Sequence, residues 1–184
     1  MPPWGGKEPR LGNNPLVIAV PRKSGHIVLD MAMSQFSYGK LQEFELRESD
    51  LPVAGGYDEQ GELSTDPLAI RNSRRTLPIG FWKGSGLSFV LDVLLSSLSG
   101  GRSVAGITAR GREYGLSQAF LCIDARSINA DTIEEIITFT KSSAPAQPGQ
   151  EIFYPGEKTM QTRKRNDKEG IEVNDDIWKQ VLDL

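Results

Sequence analysis

Two short apolar runs, residues 16–20 and 27–33, are joined by Pro21-Arg22-Lys23-Ser24-Gly25. Apolar runs bounded by proline and glycine predict a hairpin of buried strands. Over residues 34–46, Phe36, Leu41, Phe44 and Leu46 recur at irregular steps of five, three and two, which predicts a helix exposing Lys40, Glu43 and Glu45. Residues 52–78 hold mostly Gly, Asp, Glu, Ser and Arg and read as a long surface loop. The strongest apolar stretch, residues 87–98, is entered through Gly84-Ser85-Gly86 and left through Gly100-Gly101, the punctuation of a central buried helix. Residues 118–124 read as a core strand. Asp131 with Glu134 resembles a capping box that opens a helix to about residue 140. Residues 142–150 form a Ser/Ala/Pro/Gln linker and residues 158–168 a charged stretch. Asn174 caps a terminal helix whose Ile177, Trp178, Val181 and Leu182 need a surface to dock on.

Composition narrows the class. A chain of 184 residues with 38% hydrophobic and 24% charged residues buries one sizeable core or two small ones. Ser88, Asp92, Ser96 and Ser97 interrupt residues 87–98, so that stretch is too short and too polar to span a bilayer. The first residues, Met1-Pro2-Pro3-Trp4-Gly5-Gly6, have neither a basic start nor an apolar run, so a cytoplasmic location without a signal peptide is the expectation. Cys122 stands alone and reads as a small filler in a buried strand. With a net charge of -3, and with Asp167 and Glu169 directly after Arg163-Lys164-Arg165, nucleic acid is not expected as a partner.

Three features bear on chemistry. Asp30 alternates with Val28 and Ala32 along its strand. If that face is buried, the carboxylate needs donors or a cation nearby, whereas on an edge strand the face meets water. The segment Pro78-Ile79-Gly80-Phe81-Trp82-Lys83-Gly84-Ser85-Gly86 reads as a glycine-rich loop delivering a lysine and free amides to a helix start, a place for an anion. A plain Ser-capped helix with a surface lysine is the alternative. Gly12-Asn13-Asn14-Pro15 is a turn, or else presents the Asn14 amide to substrate. The dinucleotide fingerprint G-x-G-x-x-G and the P-loop are both absent from the chain, and with His26 the only histidine, neither a Ser-His-Asp triad nor a histidine-rich metal site is expected.

Taken together, Gly12-Asn13-Asn14-Pro15, Asp30-Met31-Ala32-Met33-Ser34, Ser37-Tyr38-Gly39-Lys40, Gly80-Phe81-Trp82-Lys83-Gly84-Ser85-Gly86-Leu87 and Tyr154-Pro155-Gly156-Glu157 resemble the malate/L-lactate dehydrogenase-like oxidoreductases, in order and approximate spacing. The resemblance implies an α/β fold with a non-Rossmann mixed sheet and packed helices, an NAD(P)-binding domain over residues 1–150 and a C-terminal arm over 151–184. It also implies a homodimer reducing 2-keto acids to 2-hydroxy acids with NADH or NADPH. Carried over residue by residue, His26, Ile27, Val28, Leu29, Asp30, Met31 and Ala32 form the first cofactor contact, Trp82 and Lys83 the second, and Gly156, Glu157 and Lys158 the third. Asp30 would orient the catalytic acid. Lys158 departs from the pattern, standing in a Gly-Glu-Lys run where similar members have Gly-His-Glu.

The family's Ser-His-Gly motif, whose histidine protonates the substrate, does not occur in this chain, and Met1 corresponds to an internal methionine of the family. His26 belongs to the cofactor strand. The expectation is therefore a C-terminal portion of such an enzyme, with a catalytically incomplete dinucleotide-binding or dimerisation module as the alternative.

Overall fold

Seven α-helices and five short strands make up the computed structural model, which describes residues 1–184 and is mixed α/β. Its chain contacts fall into two units, Met1–Leu16 with Asp30–Cys122, and Val17–Leu29 with Ile123–Leu184.

The first unit is built around Leu41, Leu51 and Ile70, with Phe36 and Phe44 packed against them. Helix α1 (Tyr38–Leu46) begins where the Ser37 side chain accepts from the Lys40 amide, and its three-residue step from Leu41 to Phe44 keeps both on the inner face. The Phe36 and Phe44 rings meet edge to face at 6.4 Å. Residues 52–78, expected as a loop, carry real structure. Strands β3 (Gly56–Tyr57), β4 (Leu63–Ser64) and β5 (Arg75–Thr76) form an antiparallel sheet of order β4-β3-β5, and helix α2 (Pro67–Ser73) lies between the last two in sequence. The cause is local. Asp58 Oδ1 accepts from the amides of Gly61 and Glu62 and turns β3 into β4. Asp66 then accepts from Leu68 and Ala69, and Pro67 pre-sets the first turn of α2. That helix seats Ile70, which is fully buried.

Helix α3 spans Trp82–Ser99, starting five residues before the apolar stretch that announced it, and stops at Gly100 in the left-handed conformation. It is not the buried helix expected: its buried residues are Gly84, Ser85 and Ser88, while Phe89 is 60% and Leu98 78% exposed. The reason is that the unit packs against the small polar side of α3. Ser88 Oγ donates to the Gly12 carbonyl, and Ser85 Oγ accepts from the Trp4 amide. After the short helix α4 (Val104–Thr108) the chain turns and continues without regular structure as far as residue 124. Residues 118–124 form no strand, because no neighbour pairs with them; Phe120, Leu121 and Ile123 are exposed, and so is Cys122, which is no core filler.

The second unit takes most of strands β1 (Leu16–Val20) and β2 (Ile27–Met31), which pair as a two-stranded sheet and are half exposed rather than buried. Helix α5 (Ala130–Lys141) is capped by Asn129, accepting from Asp131 and Thr132, and not by Asp131. Glu134 is thereby released from capping and takes the Arg22 guanidinium in a two-point pair, at 2.5 and 3.2 Å. Helix α6 (Glu157–Glu169) covers the charged stretch, and helix α7 (Asp175–Leu182) starts at Asn174 as expected. Its Trp178 and Leu182 remain exposed, so the expected docking is not seen. No helix is long and apolar enough to cross a membrane.

Two measurements test this account. A Cβ at Gly56 would lie 2.5 Å from Ile70 Cγ2 and 2.6 Å from the Arg75 carbonyl, so Gly56→Ala should destabilise the chain by about 1–3 kcal/mol, the cost of overpacking, in a denaturant titration. The hydrogen bond from Arg22 holds the Glu134 carboxyl below its ordinary value of 4.5. A depressed carboxylate stabilises the fold above that value and loses its contribution as pH falls through the folded one. The melting temperatures of wild type and Glu134→Gln should therefore differ most near neutrality and converge below about pH 4.5.

Candidate functional site

Chemistry at residues 26–32 begins with β2. The backbone amide of Arg22 donates to His26 Nδ1 at 3.2 Å, which fixes the exposed ring at the start of the strand. Asp30 is exposed and has neither a hydrogen bond nor an ion pair, so its face is the one that meets water; the reading of a buried carboxylate with partners is corrected. Leu29 is likewise exposed, while Ile27, Val28, Met31 and Ala32 are half buried.

The third expected segment lies directly against this strand. The Val28 amide donates to the Pro155 carbonyl at 3.0 Å. Gly156 follows with φ 89, a conformation that favours glycine, and a Cβ there would stand 2.9 Å from the Val28 nitrogen and 3.3 Å from the His26 carbonyl. The tight approach is backbone to backbone, and no side chain fits. Glu157 opens α6 with both carboxylate oxygens engaged: Oε1 accepts from Lys141 Nζ at 2.5 Å, and Oε2 from the Tyr154 amide at 3.2 Å. Lys158 is exposed, its ammonium 4.9 Å from the centre of the Phe153 ring. Beside it, an open cleft of about 460 Å³ is lined by Lys158, Thr159, Thr162, Arg163, Asn166 and Asp167 among others. The sequence reading dismissed Arg163 as one of a basic run neutralised by acids. The helical spacing of 159, 162, 163 and 166 was the signal that these side chains share a face.

Trp82 and Lys83, the second expected segment, belong to the first unit and are exposed. They are helical, not part of a loop. The amides of Lys83, Gly84 and Ser85 are taken up by the carbonyls of Gly80, Ile79 and Phe81, which corrects the expectation of free amides. Gly84 serves packing, since a Cβ there would fall 2.3 Å from the Ile79 carbonyl oxygen. Phe81, at φ 59 and ψ −112, is bent into a conformation costly for a bulky residue, with its ring 5.2 Å from that of Trp4. The Ile79 amide donates to the Met33 carbonyl, and Ser34 bridges Pro78, so the continuation of β2 is fastened to the approach of α3. Asn14 sits at φ 33 with Nδ2 donating to the Ser88 carbonyl and Oγ at 2.9 and 3.2 Å, so its amide nitrogen is committed to α3. A separate cleft of about 320 Å³, lined by Tyr38, Glu45, Leu68, Arg71, Asn72 and Arg74, includes none of the expected site residues. Burial raises the Tyr38 hydroxyl above its usual range. No cluster of His, Cys, Asp and Glu offers a metal site.

The arrangement thus places His26–Leu29 of the first expected segment in one unit with the third, residues 156–158, while Asp30–Ala32 and the second segment belong to the first unit. Comparison with known proteins gives a consistent result. The 2,3-diketo-L-gulonate reductases of Citrobacter koseri and Escherichia coli are 42% and 41% identical to the chain over 190 aligned positions, which take in 100% of this chain and 57% of each relative. The chain therefore spans little more than half the length of these relatives. Among solved structures, malate dehydrogenase from Entamoeba histolytica superposes with a TM-score of 0.82 at 18% identity, over 99% of this chain and 56% of that one. Sulfolactate dehydrogenase from Methanocaldococcus jannaschii superposes at 0.71 with 27% identity, over 98% and 54%. The profile of the malate/L-lactate dehydrogenases matches residues 1–182, and the chain belongs to that family of oxidoreductases.

Proposed function

We propose that this chain supplies the dinucleotide-holding part of an NAD(P)H-dependent reductase of 2-keto acids, with 2,3-diketo-L-gulonate, reduced to 3-keto-L-gulonate, as the substrate of the intact enzyme. The observation that carries the reading is the close approach of Gly156 to β2, which leaves room for backbone alone. A nicotinamide dinucleotide fits what lies there. The first-turn amides of Lys158 and Thr159 are among those a helix leaves without partners of its own, and the positive end of α6 and the Lys158 ammonium favour phosphate oxygens. Lys83, exposed at the start of α3, is the cation of the second contact that the family resemblance implies. When bound, the cofactor supplies the hydride.

In this reading His26, Ile27, Val28, Leu29, Asp30, Met31 and Ala32 are the first cofactor contact, Trp82 and Lys83 the second, and Gly156, Glu157 and Lys158 the third, as the family resemblance implies. Asp30, exposed and unpaired, is available to orient a catalytic acid, and Asn14 to contact substrate through Oδ1. The proton for the new alkoxide needs a donor near neutrality. The family resemblance gives that role to the histidine of a Ser-His-Gly motif, which residues 1–184 do not contain. The dinucleotide-binding domain is assigned to residues 1–150 and the arm to 151–184, and two copies associate in the intact enzyme. The names of the relatives at 41–42% identity support the substrate class. A module that holds the cofactor without turning it over is the second reading, favoured by the 57% coverage of those relatives.

Fluorescence titration with NADH tests the proposal: the folded chain should shift or enhance nucleotide emission, and a flat titration on folded protein would sink it. Residues 1–184 alone should not oxidise NADH with 2,3-diketo-L-gulonate, and steady turnover would overturn the assignment of the proton donor elsewhere. Lys83→Ala should raise the NADH Kd about tenfold, or ~1.4 kcal/mol, with an unchanged melting temperature. An equal loss of stability would make Lys83 structural.

A further inference from the structure

The Arg22 guanidinium, only 13% exposed, uses its fork on three partners. Nε and Nη2 hold the Glu134 carboxylate of α5, and Nη1 donates to Tyr154 Oη at 3.1 Å and to the Gly25 carbonyl at 3.3 Å. Its carbon also lies 5.3 Å from the centre of the Tyr154 ring, over which Lys141 Nζ sits at 5.8 Å. Lys141 in turn holds Glu157, whose second oxygen accepts from the backbone amide of Tyr154. Glu134 and Lys141 are seven residues apart on α5, two helical turns, and so project from one face. That face grips Tyr154 at its hydroxyl through Arg22 and at its amide through Glu157. The residues that follow Tyr154 are Pro155 and Gly156, the pair seated on Val28.

We infer that Arg22, Glu134, Lys141, Tyr154 and Glu157 form a positioning latch that holds the Pro155–Gly156 turn against β2 so that the dinucleotide meets a preformed wall. This rests on the dinucleotide reading proposed above and deepens it, because Glu157 becomes a strut and not a ligand contact: both of its oxygens are already taken. Ion pairs with one partner half exposed add little to stability, and Glu134 is 51% and Lys141 39% exposed. The latch therefore acts on binding more than on melting. A turn seated with no space for a methyl group tolerates little displacement before the groups it presents lose their alignment.

A double-mutant cycle of Lys141→Ala and Glu157→Gln, read by NADH titration and thermal melting of the full chain, separates the roles. Each single variant should raise the Kd about fivefold, the loss of one positioning hydrogen bond, with nearly unchanged melting, and the double variant should lose no more than either single one. Tyr154→Phe, which removes only the hydroxyl held by Arg22, should also weaken binding, and Arg22→Lys should be a poor substitute because it loses the fork. Losses that multiply in the double variant would overturn the inference, since Glu157 would then act on the nucleotide independently of Lys141. So would lowered melting with an unchanged Kd, the signature of a purely structural network. If the wild-type chain binds no NADH, the dinucleotide reading falls and the latch with it; if it binds and the variants bind equally well, only the latch falls.

Discussion

Contact between the Pro155–Gly156 turn and β2 is the constraint on which the second unit depends. One hydrogen bond, from the Val28 amide to the Pro155 carbonyl, fixes the turn, and the absent side chain of Gly156 sets how near it lies. From that seat, α6 starts at Glu157, directly after the glycine pressed on the strand. Gly25 in the β1–β2 turn, with φ 118, meets the flexible end of the Met160 side chain of α6. Ion pairs to α5 restrain the tyrosine just before the turn. Backbone proximity is primary in this unit, and charge keeps it in place.

The first unit solves a different problem with similar means. Its apolar centre is small, three fully buried or nearly buried side chains with two phenylalanines beside them. Much of its order comes from polar ties among small residues. Asn13 accepts from the Met33 amide and the Ser34 hydroxyl, Asn14 and Gly12 bind Ser88, and Trp4 binds Ser85. These ties explain why α3 turns Gly84, Ser85 and Ser88 inward while Phe89, Val93 and Leu98 face out. They also explain the start of that helix. With Gly84 pressed on the Ile79 carbonyl, the chain must already be helical at Trp82, and the strain is taken up one residue earlier, at Phe81.

What the sequence made legible were features with a local cause. Strand β1 has the expected bounds, Asn174 caps the last helix, and the end of α5 lies within a residue of its expected place, because capping and alternation act over a few neighbours. Residues 52–78 escaped because strands of two residues have no period to detect. Their signals were the Asp58-to-Gly61 turn and the Asp66-Pro67 helix start, and both were read as loop chemistry. Asn129 took the cap from Asp131 by standing one residue before the helix, which freed Glu134 for Arg22 across 112 residues of sequence. A partner so distant leaves no trace in local pattern. The exposure of residues 118–124 was missed, and that of Asp30 left open, for a related reason: apolar alternation shows which face is fit for burial, and what covers that face is decided elsewhere.

Much of the candidate site was legible only through whole motifs, and its physical make-up shows why. The decisive groups are a proline carbonyl, a valine amide and a glycine without a Cβ, none of which carries a titratable signature. Groups made for proton transfer commonly betray themselves by protonation shifted through burial against a charge in a cleft. In the second unit the shifted groups are Arg22, Glu134, Asp124 and Arg126, each drawn first by a hydrogen bond within an ion pair, and three of the four side chains are at least half exposed. Such shifts belong to holding. A unit whose precision is spent on backbone approach and whose charges are spent on restraint is suited to presenting a ligand at a fixed place, which is the role the proposed function asks of it.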